Sequence, residues 1–227
     1  MLLLAIDTST QEATVALARD EQMIWRCEQV TTHSERLVLI IDALFRELGV
    51  APRELGGVVC ASGPGSFTGL RIGLSTAKGL CFGTGAPLVL LPSLPVRAAI
   101  APAHARVLAA VDAFRGEVYA GCYALDEARQ PRAIDPALAA FTATPDALRA
   151  RIASLSPTHA VGDGFVRHPS ARPDGTVLLS TEEDGALAAA LVRLGRARLN
   201  AGEHDDPRTA VPFYVRASAP EEAQRQP

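Results

Sequence analysis

Leu2-Leu3-Leu4-Ala5-Ile6-Asp7-Thr8-Ser9-Thr10 opens the chain with an apolar run that ends in an acid and three hydroxyls. The run leaves no polar face, so it reads as a strand buried on both sides that delivers Asp7 into a polar turn. Thr14–Ala18 alternates, and Met23–Gln29 follows the Arg19-Asp20-Glu21-Gln22 turn, which completes a three-stranded meander. Ser34–Leu48 reads as a helix: Leu37, Ile41, Leu44 and Leu48 share one stripe, Gly49 stops it, and Pro52 follows. Gly57–Ser62 is a further buried strand, and Gly63-Pro64-Gly65-Ser66-Phe67-Thr68-Gly69 opens a helix reaching about Gly83. Leu88–Leu91 then gives the order β-β-β-α-β-α-β, which suits a parallel sheet extended by a hairpin meander.

The pattern restarts at Val107–Asp112, again an apolar run ended by an acid. Val118–Leu125 is its return strand after the Arg115-Gly116-Glu117 turn. A weaker strand near Leu138–Phe141, a helix from Pro145 to about Ile152, short strands at Ala160–Val161 and Val177–Leu179, and an Ala/Leu-rich helix over Ala186–Leu199 follow. We expect two domains, 1–103 and 104–227, with a frayed polar tail over 217–227. The expected class is α/β: a two-domain actin-like (ASKHA/ribonuclease H-like) fold of β-β-β-α-β-α halves, the second half degenerate. In actin, Hsp70 and sugar kinases such halves grip a nucleotide between acid-tipped hairpins.

Over 227 residues the chain is 48% apolar and 21% charged, which is globular composition. Lys and Arg total 22 against 25 Asp and Glu, a net charge of −3. That balance excludes a surface that is a sleeve for nucleic acid and, with no aromatic–basic patch, argues against tight nucleic-acid binding by this chain alone. Cys27, Cys60, Cys81 and Cys122 lie far apart among apolar neighbours and read as buried free thiols. No basic leader and no apolar run of ~18 residues is present, so the expectation is a soluble, cytoplasmic protein without a membrane role.

Asp7, Thr8, Ser9 and Thr10 could present N–H groups, hydroxyls and an acid to a phosphate and a metal-bound water, or form a turn that satisfies itself. Asp112 holds the matching place in the second half. The glycine-rich run is not a P-loop, because Lys78 lies well inside the helix; it suits either an anion or close packing at a helix N-terminus. At 100° per residue, Leu70, Leu74, Ala77 and Cys81 form one face of that helix; Ile72, Ser75, Gly79 and Phe82 form another, flanked by Arg71 and Lys78. A helix with two contact-competent faces is buried twice or lends one face to a partner, and Leu39 on the charged back of the preceding helix hints at the same. His33 has Leu37 at i+4, so the helical metal pair is missing and no metal site is expected.

Asp7-Thr8-Ser9-Thr10, His33-Ser34-Glu35-Arg36-Leu37, the run from Gly63 to Gly73, Lys78-Gly79-Leu80 and Glu117-Val118-Tyr119 resemble the bacterial TsaB (YeaZ) family in order and spacing. Gly162-Asp163-Gly164 and Tyr214-Val215-Arg216 extend the resemblance into the second half. The resemblance implies a non-catalytic partner of TsaD in forming threonylcarbamoyladenosine 3′ of the anticodon in tRNAs that read A-starting codons. It also implies a heterodimer with a TsaD homologue, a TsaE ATPase in the larger assembly, a homodimer when TsaD is absent, and tRNA contact only through the complex. The family's first two helices form the contact, which places His33, Leu37, Leu39, Ile41, Leu70, Arg71, Ile72, Leu74, Ser75, Lys78 and Phe82 at the partner interface. Two positions depart from the family pattern: Leu39 stands where Pro is usual, and Phe114 follows Asp112-Ala113 where Arg is usual.

The reading is therefore a catalytically inactive scaffold subunit with no cofactor. Asp7, Thr8, Ser9, Thr10, Asp112 and Glu117 would line a weak, vestigial nucleotide cleft. The alternatives are a stand-alone actin-fold ATPase or phosphotransferase, which needs Asp7 or Asp112 free for magnesium–ATP, and a glycopeptidase, for which no nucleophile or metal pair is found.

Overall fold

The computed structural model describes residues 1–29, 34–181 and 183–215. The first half contains β1 (Leu2–Asp7), β2 (Glu12–Arg19), β3 (Gln22–Gln29), α1 (Ser34–Leu48), β4 (Leu55–Gly63), α2 (Phe67–Thr84), β5 (Leu88–Pro92) and α3 (Ser93–Ala98). The second contains β6 (Arg106–Asp112), β7 (Val118–Leu125), β8 (Pro131–Ala133), β9 (Phe141–Ala143), α4 (Pro145–Ile152), β10 (His159–Val161), α5 (Asp163–Arg167), β11 (Val177–Leu179) and α6 (Ala186–Asn200).

The first sheet has the order β3-β2-β1-β4-β5, with β1–β2 and β2–β3 antiparallel and β1–β4 and β4–β5 parallel. The second has the order β11-β10-β6-β7-β8, with β9 paired to β7. Its β6–β7 pair is antiparallel and β6–β10–β11 is parallel. Each half thus runs meander, helix, strand, helix, strand, helix, the duplicated actin-like α/β architecture. The second copy is reduced: β10 and β11 have three residues each, and α5 has five where α2 has 18.

Burial on both faces explains the unbroken apolar run of β1. Leu2, Leu4 and Ile6 enter a core with Leu37 and Leu44 of α1 and Leu74 and Ala77 of α2. Leu3 and Ala5 enter another with Leu187, Leu191 and Leu194 of α6. The helices that end the two halves are exchanged. Leu94 and Ala98 of α3 pack with Val107, Ala109 and Val111 of β6, whereas α6, at the end of the second half, covers the first sheet. Gly195 makes that contact close, because a Cβ there would run into Val59.

Two expectations shift. The weak strand near Leu138–Phe141 is a 3-10 turn at Pro136–Leu138 followed by β9, since Pro136 and the Asp135 cap favour a turn start. The chain also forms α3, α5 and β8, elements too short to show a period in sequence.

The glycine-rich run resolves as close packing. Ser66 Oγ accepts from the Gly69 N–H at 3.2 Å and caps α2, and the Ser66 N–H donates to the Ser9 carbonyl at 2.7 Å. Thr8 Oγ1 donates to the Gly69 carbonyl at 2.7 Å. A Cβ at Gly65 or Gly69 would collide with the backbone of Ser9 or Thr8, and one at Gly73 with the Thr8 hydroxyl. The β1–β2 turn therefore sits on the first turns of α2. Gly79, by contrast, meets nothing within 4 Å. Gly69→Ala is expected to cost about 1–3 kcal/mol through overpacking. Gly79→Ala should stabilise by about 0.5–1 kcal/mol through helix propensity. Urea unfolding of the two variants separates them; equal shifts would contradict the packing role of Gly69.

Candidate functional site: an interlobe cleft and an exposed helical face

The acids that end β1 and β6 are both engaged within the protein. Asp7 is 1% exposed. Its Oδ1 accepts from the Ser9 N–H at 2.7 Å and the Ser9 hydroxyl at 2.6 Å, and its Oδ2 accepts from Arg97 Nη1 at 2.9 Å. Arg97, on α3 and 2% exposed, also donates to the Ser93 carbonyl. Thr8 and Ser9 are buried in the turn-to-helix contact. Asp112 lies 3.2 Å from His168 Nε2 and 3.5 Å from Arg167 Nε, and its Oδ1 accepts from the Phe114 N–H. Glu117 closes the β6–β7 turn through its backbone, its carbonyl accepting from Ala113 and its N–H donating to Phe114. Phe114, Arg115 and Gly116 all have positive φ in that turn.

A cleft of about 430 Å³ opens between the lobes. Of the residues expected there, Thr10 lines it; its charged wall is Glu12, Arg97, Asp163 and Arg167, with Gln11, Gln29, Ser180 and Thr181 beside them. Arg167 reaches across to Gln11 Oε1 at 2.5 Å and ties the rims. The sequence reading missed Arg97, Asp163 and Arg167 as cleft residues. A lone charge inside Leu94-Pro95-Val96-Arg97-Ala98-Ala99 was the available signal for Arg97. Gly162-Asp163-Gly164 packs on Ala110 of β6, and the φ of +112° at Gly162 is close to the +114° of Gly63 at the end of β4.

No group of three His, Cys, Asp or Glu side chains that could hold a metal stands together among the described residues. Burial pushes the Cys81 and Cys122 thiols up to about 11 and Cys60 higher still, so these stay protonated and poorly nucleophilic. Among the described residues no helix is long and apolar enough to cross a membrane.

The second feature is the outer face of α1 and α2. Of the expected interface positions, Leu37, Ile41, Leu70 and Leu74 are buried in the core under the helices and hold them to the sheet. Leu39 and Phe82 are exposed, at 58% and 59%, as are Arg71 and Ser75; Ile72 and Lys78 are half-buried. His33 lies outside the described residues. The α2 surface is a stripe of Phe67, Arg71, Ser75, Gly79 and Phe82 at helical spacing, and on α1 Val38 and Leu39 are exposed as well.

Burial holds the Asp163 carboxyl above the usual carboxylate range; the Arg97 charge and the Asp112 N–H oppose it, and the Asp112 charge adds to it. A raised acid binds its proton more tightly folded than unfolded, so this group lowers stability as pH rises from its ordinary value of 3.8 through its folded value. Below that window the loss is absent. Asp163→Asn keeps an oxygen for the Asp112 N–H and removes the loss. Stability relative to the parent should move in the variant's favour as pH rises above 3.8 in urea titrations; a pH-independent difference contradicts this.

A family model described as TsaD, tRNA N6-adenosine threonylcarbamoyltransferase, matches residues 28–151. The tRNA threonylcarbamoyladenosine biosynthesis protein TsaB of Escherichia coli (strain K12) is 31% identical over 95% of this chain and 95% of its own length. That of Bacillus subtilis (strain 168) is 37% identical over 128 residues, a match covering 54% of this chain and 55% of the relative. The solved YeaZ from Pseudomonas aeruginosa superposes with a TM-score of 0.74 at 29% identity, covering 94% of this chain and 100% of that one. An activator of the 2-hydroxyisocaproyl-CoA dehydratase from Clostridium difficile, solved with bound ADPNP, shares the fold at a TM-score of 0.50 and 13% identity. With the duplicated lobes, the turn-on-helix glycine packing and full-length similarity to a named relative, the chain belongs to the TsaB (YeaZ) family.

Proposed function

We propose that this chain is a non-catalytic partner subunit in threonylcarbamoyladenosine formation on tRNA. It holds a TsaD homologue in its active arrangement, with a TsaE ATPase in the larger assembly and tRNA met only through the complex. Family membership supports the pathway. The observation that carries the non-catalytic role is Asp7: both carboxylate oxygens are engaged by Arg97 and Ser9 at 1% exposure, leaving none for a metal-bound water. The exposed α1–α2 face supplies what a scaffold needs, an apolar surface with small residues at Ser75 and Gly79 over which another helix can approach. The same face serves a second copy of the chain when the TsaD homologue is absent.

A stand-alone ATPase or phosphotransferase is the competing reading, and Asp112 is its remaining acid. One reconstitution distinguishes the two: TsaD and TsaE homologues of the same organism, with ATP, threonylcarbamoyl-adenylate and tRNA, with and without this chain. Transfer should appear only when the chain is present, and the chain alone should neither transfer nor turn over ATP. Phe82→Glu, a charge on a side chain that packs on no core, should weaken complex formation and transfer at least about tenfold without unfolding the protein. A transfer rate indifferent to the chain, or magnesium-dependent ATP turnover by the chain alone, contradicts the proposal.

A further inference from the structure

After α6 the chain turns back over the first lobe and is fixed to it at successive points. The Asp205 N–H donates to the Leu88 carbonyl at 2.7 Å, and Asp205 Oδ2 accepts from the Leu90 N–H at 2.7 Å, so residue 205 covers the open edge of β5. Lys78 Nζ on α2 donates to the Ala210 carbonyl at 3.1 Å. The Phe213 N–H donates to the Ser62 carbonyl at 2.7 Å, close enough that Gly63 has no space for a Cβ. Tyr214 ends the run: its ring lies 5.3 Å from that of Phe67, and its hydroxyl accepts from Arg71 Nε at 3.2 Å. Arg71 in turn places its guanidinium 3.8 Å from the centre of the Phe67 ring.

The segment therefore lies along α2 on the side away from α1, and it enlarges the exposed apolar surface. Val211 is 70% and Phe213 46% exposed. They add to the exposed Phe67 and Phe82 of α2, so four of the eleven large exposed hydrophobics in the described residues lie on α2 or on the segment fixed beside it. The sequence of α2 holds Arg71 and Lys78 and no acid. Lys78 is engaged by the Ala210 carbonyl, whereas no carboxylate among the described residues pairs with Arg71, which has a phenol and a ring face for company. An arginine clamped in one orientation by an aromatic ring and a hydroxyl keeps its cationic edge pre-organised for a planar anion.

We propose that residues 205–214 form the third wall of the docking face, and that Tyr214 is a positioning residue that holds Arg71 toward a carboxylate on the apolar helical face of the TsaD homologue. This rests on the partner role argued above. Arg71, exposed and without a carboxylate partner among the described residues, sets the chemistry of what covers it.

The test is binding of the full chain to its TsaD homologue at several salt concentrations, with Tyr214→Phe, Tyr214→Ala and Arg71→Met. Tyr214→Phe keeps the ring on Phe67 and loses only the hydroxyl; it should weaken binding severalfold with an unchanged unfolding midpoint. Tyr214→Ala and Arg71→Met should each weaken it about tenfold or more. Arg71→Met should also flatten the salt dependence, because it removes the screened charge pair. If the parent chain binds and all three variants bind as tightly with the same salt slope, the proposal is wrong while the partner role stands. If the parent chain does not bind at all, the partner role itself fails and this proposal with it.

Discussion

A buried ion pair connects the two lobes, and much of the molecule is arranged around it. Asp7 ends the central strand of the first sheet, and Arg97 sits on α3, the helix that the first half lends to the second sheet. The pair stands 2.9 Å apart with neither side chain more than 2% exposed. Desolvating two charges is costly, and further hydrogen bonds offset it: Ser9 donates to the other carboxylate oxygen, and the Ser93 carbonyl accepts a further guanidinium N–H. Arg167 bonding to Gln11 repeats the link at the rim. The cleft between the lobes is thereby a braced joint, and its first acid is part of the brace.

The brace also fixes the β1–β2 turn, and the turn fixes α2. Thr8 and Ser9 lie against the glycines of the α2 N-terminus so closely that Cβ atoms at Gly65, Gly69 and Gly73 are excluded. An anion-binding helix start needs its N–H groups directed at open space. Here the Ser66 N–H donates to the Ser9 carbonyl and the Gly69 N–H to the Ser66 hydroxyl. The same contacts set the rotation of α2, with Leu70, Leu74, Ala77 and Cys81 inward and Phe67, Arg71, Ser75, Gly79 and Phe82 outward. Cleft architecture and docking surface are thus one packing problem, solved from the end of β1.

Much of this could be read from periodicity. The unbroken apolar run of β1 announced burial on both faces, and the two stripes of α2 separated core from surface. The repeated acid-ended strand revealed the duplication. What escaped is physically instructive. The six residues of α3 and the five of α5 are too few to establish a helical period, so Arg97 and Asp163 had no element to stand on. Leu37, Ile41, Leu70 and Leu74 came with the helices as interface residues, although their stripe is the one that packs on the sheet. Which glycines serve a close approach and which leave room for a partner depends on what lies beyond the helix, and a single sequence does not carry that. Gly69 and Gly79 lie ten positions apart on one helix and do opposite things.

The claim that Asp7 acts as structure is tested most directly by a double-mutant cycle in urea with Asp7→Asn, Arg97→Met and the pair together. Each single substitution strands a buried partner and should cost about 3–5 kcal/mol, while the double variant should cost clearly less than the sum, giving a coupling of about 2 kcal/mol or more. Additive effects, with Asp7→Asn as stable as the parent, would free the carboxylate from the brace and return it to the cleft as a candidate for chemistry.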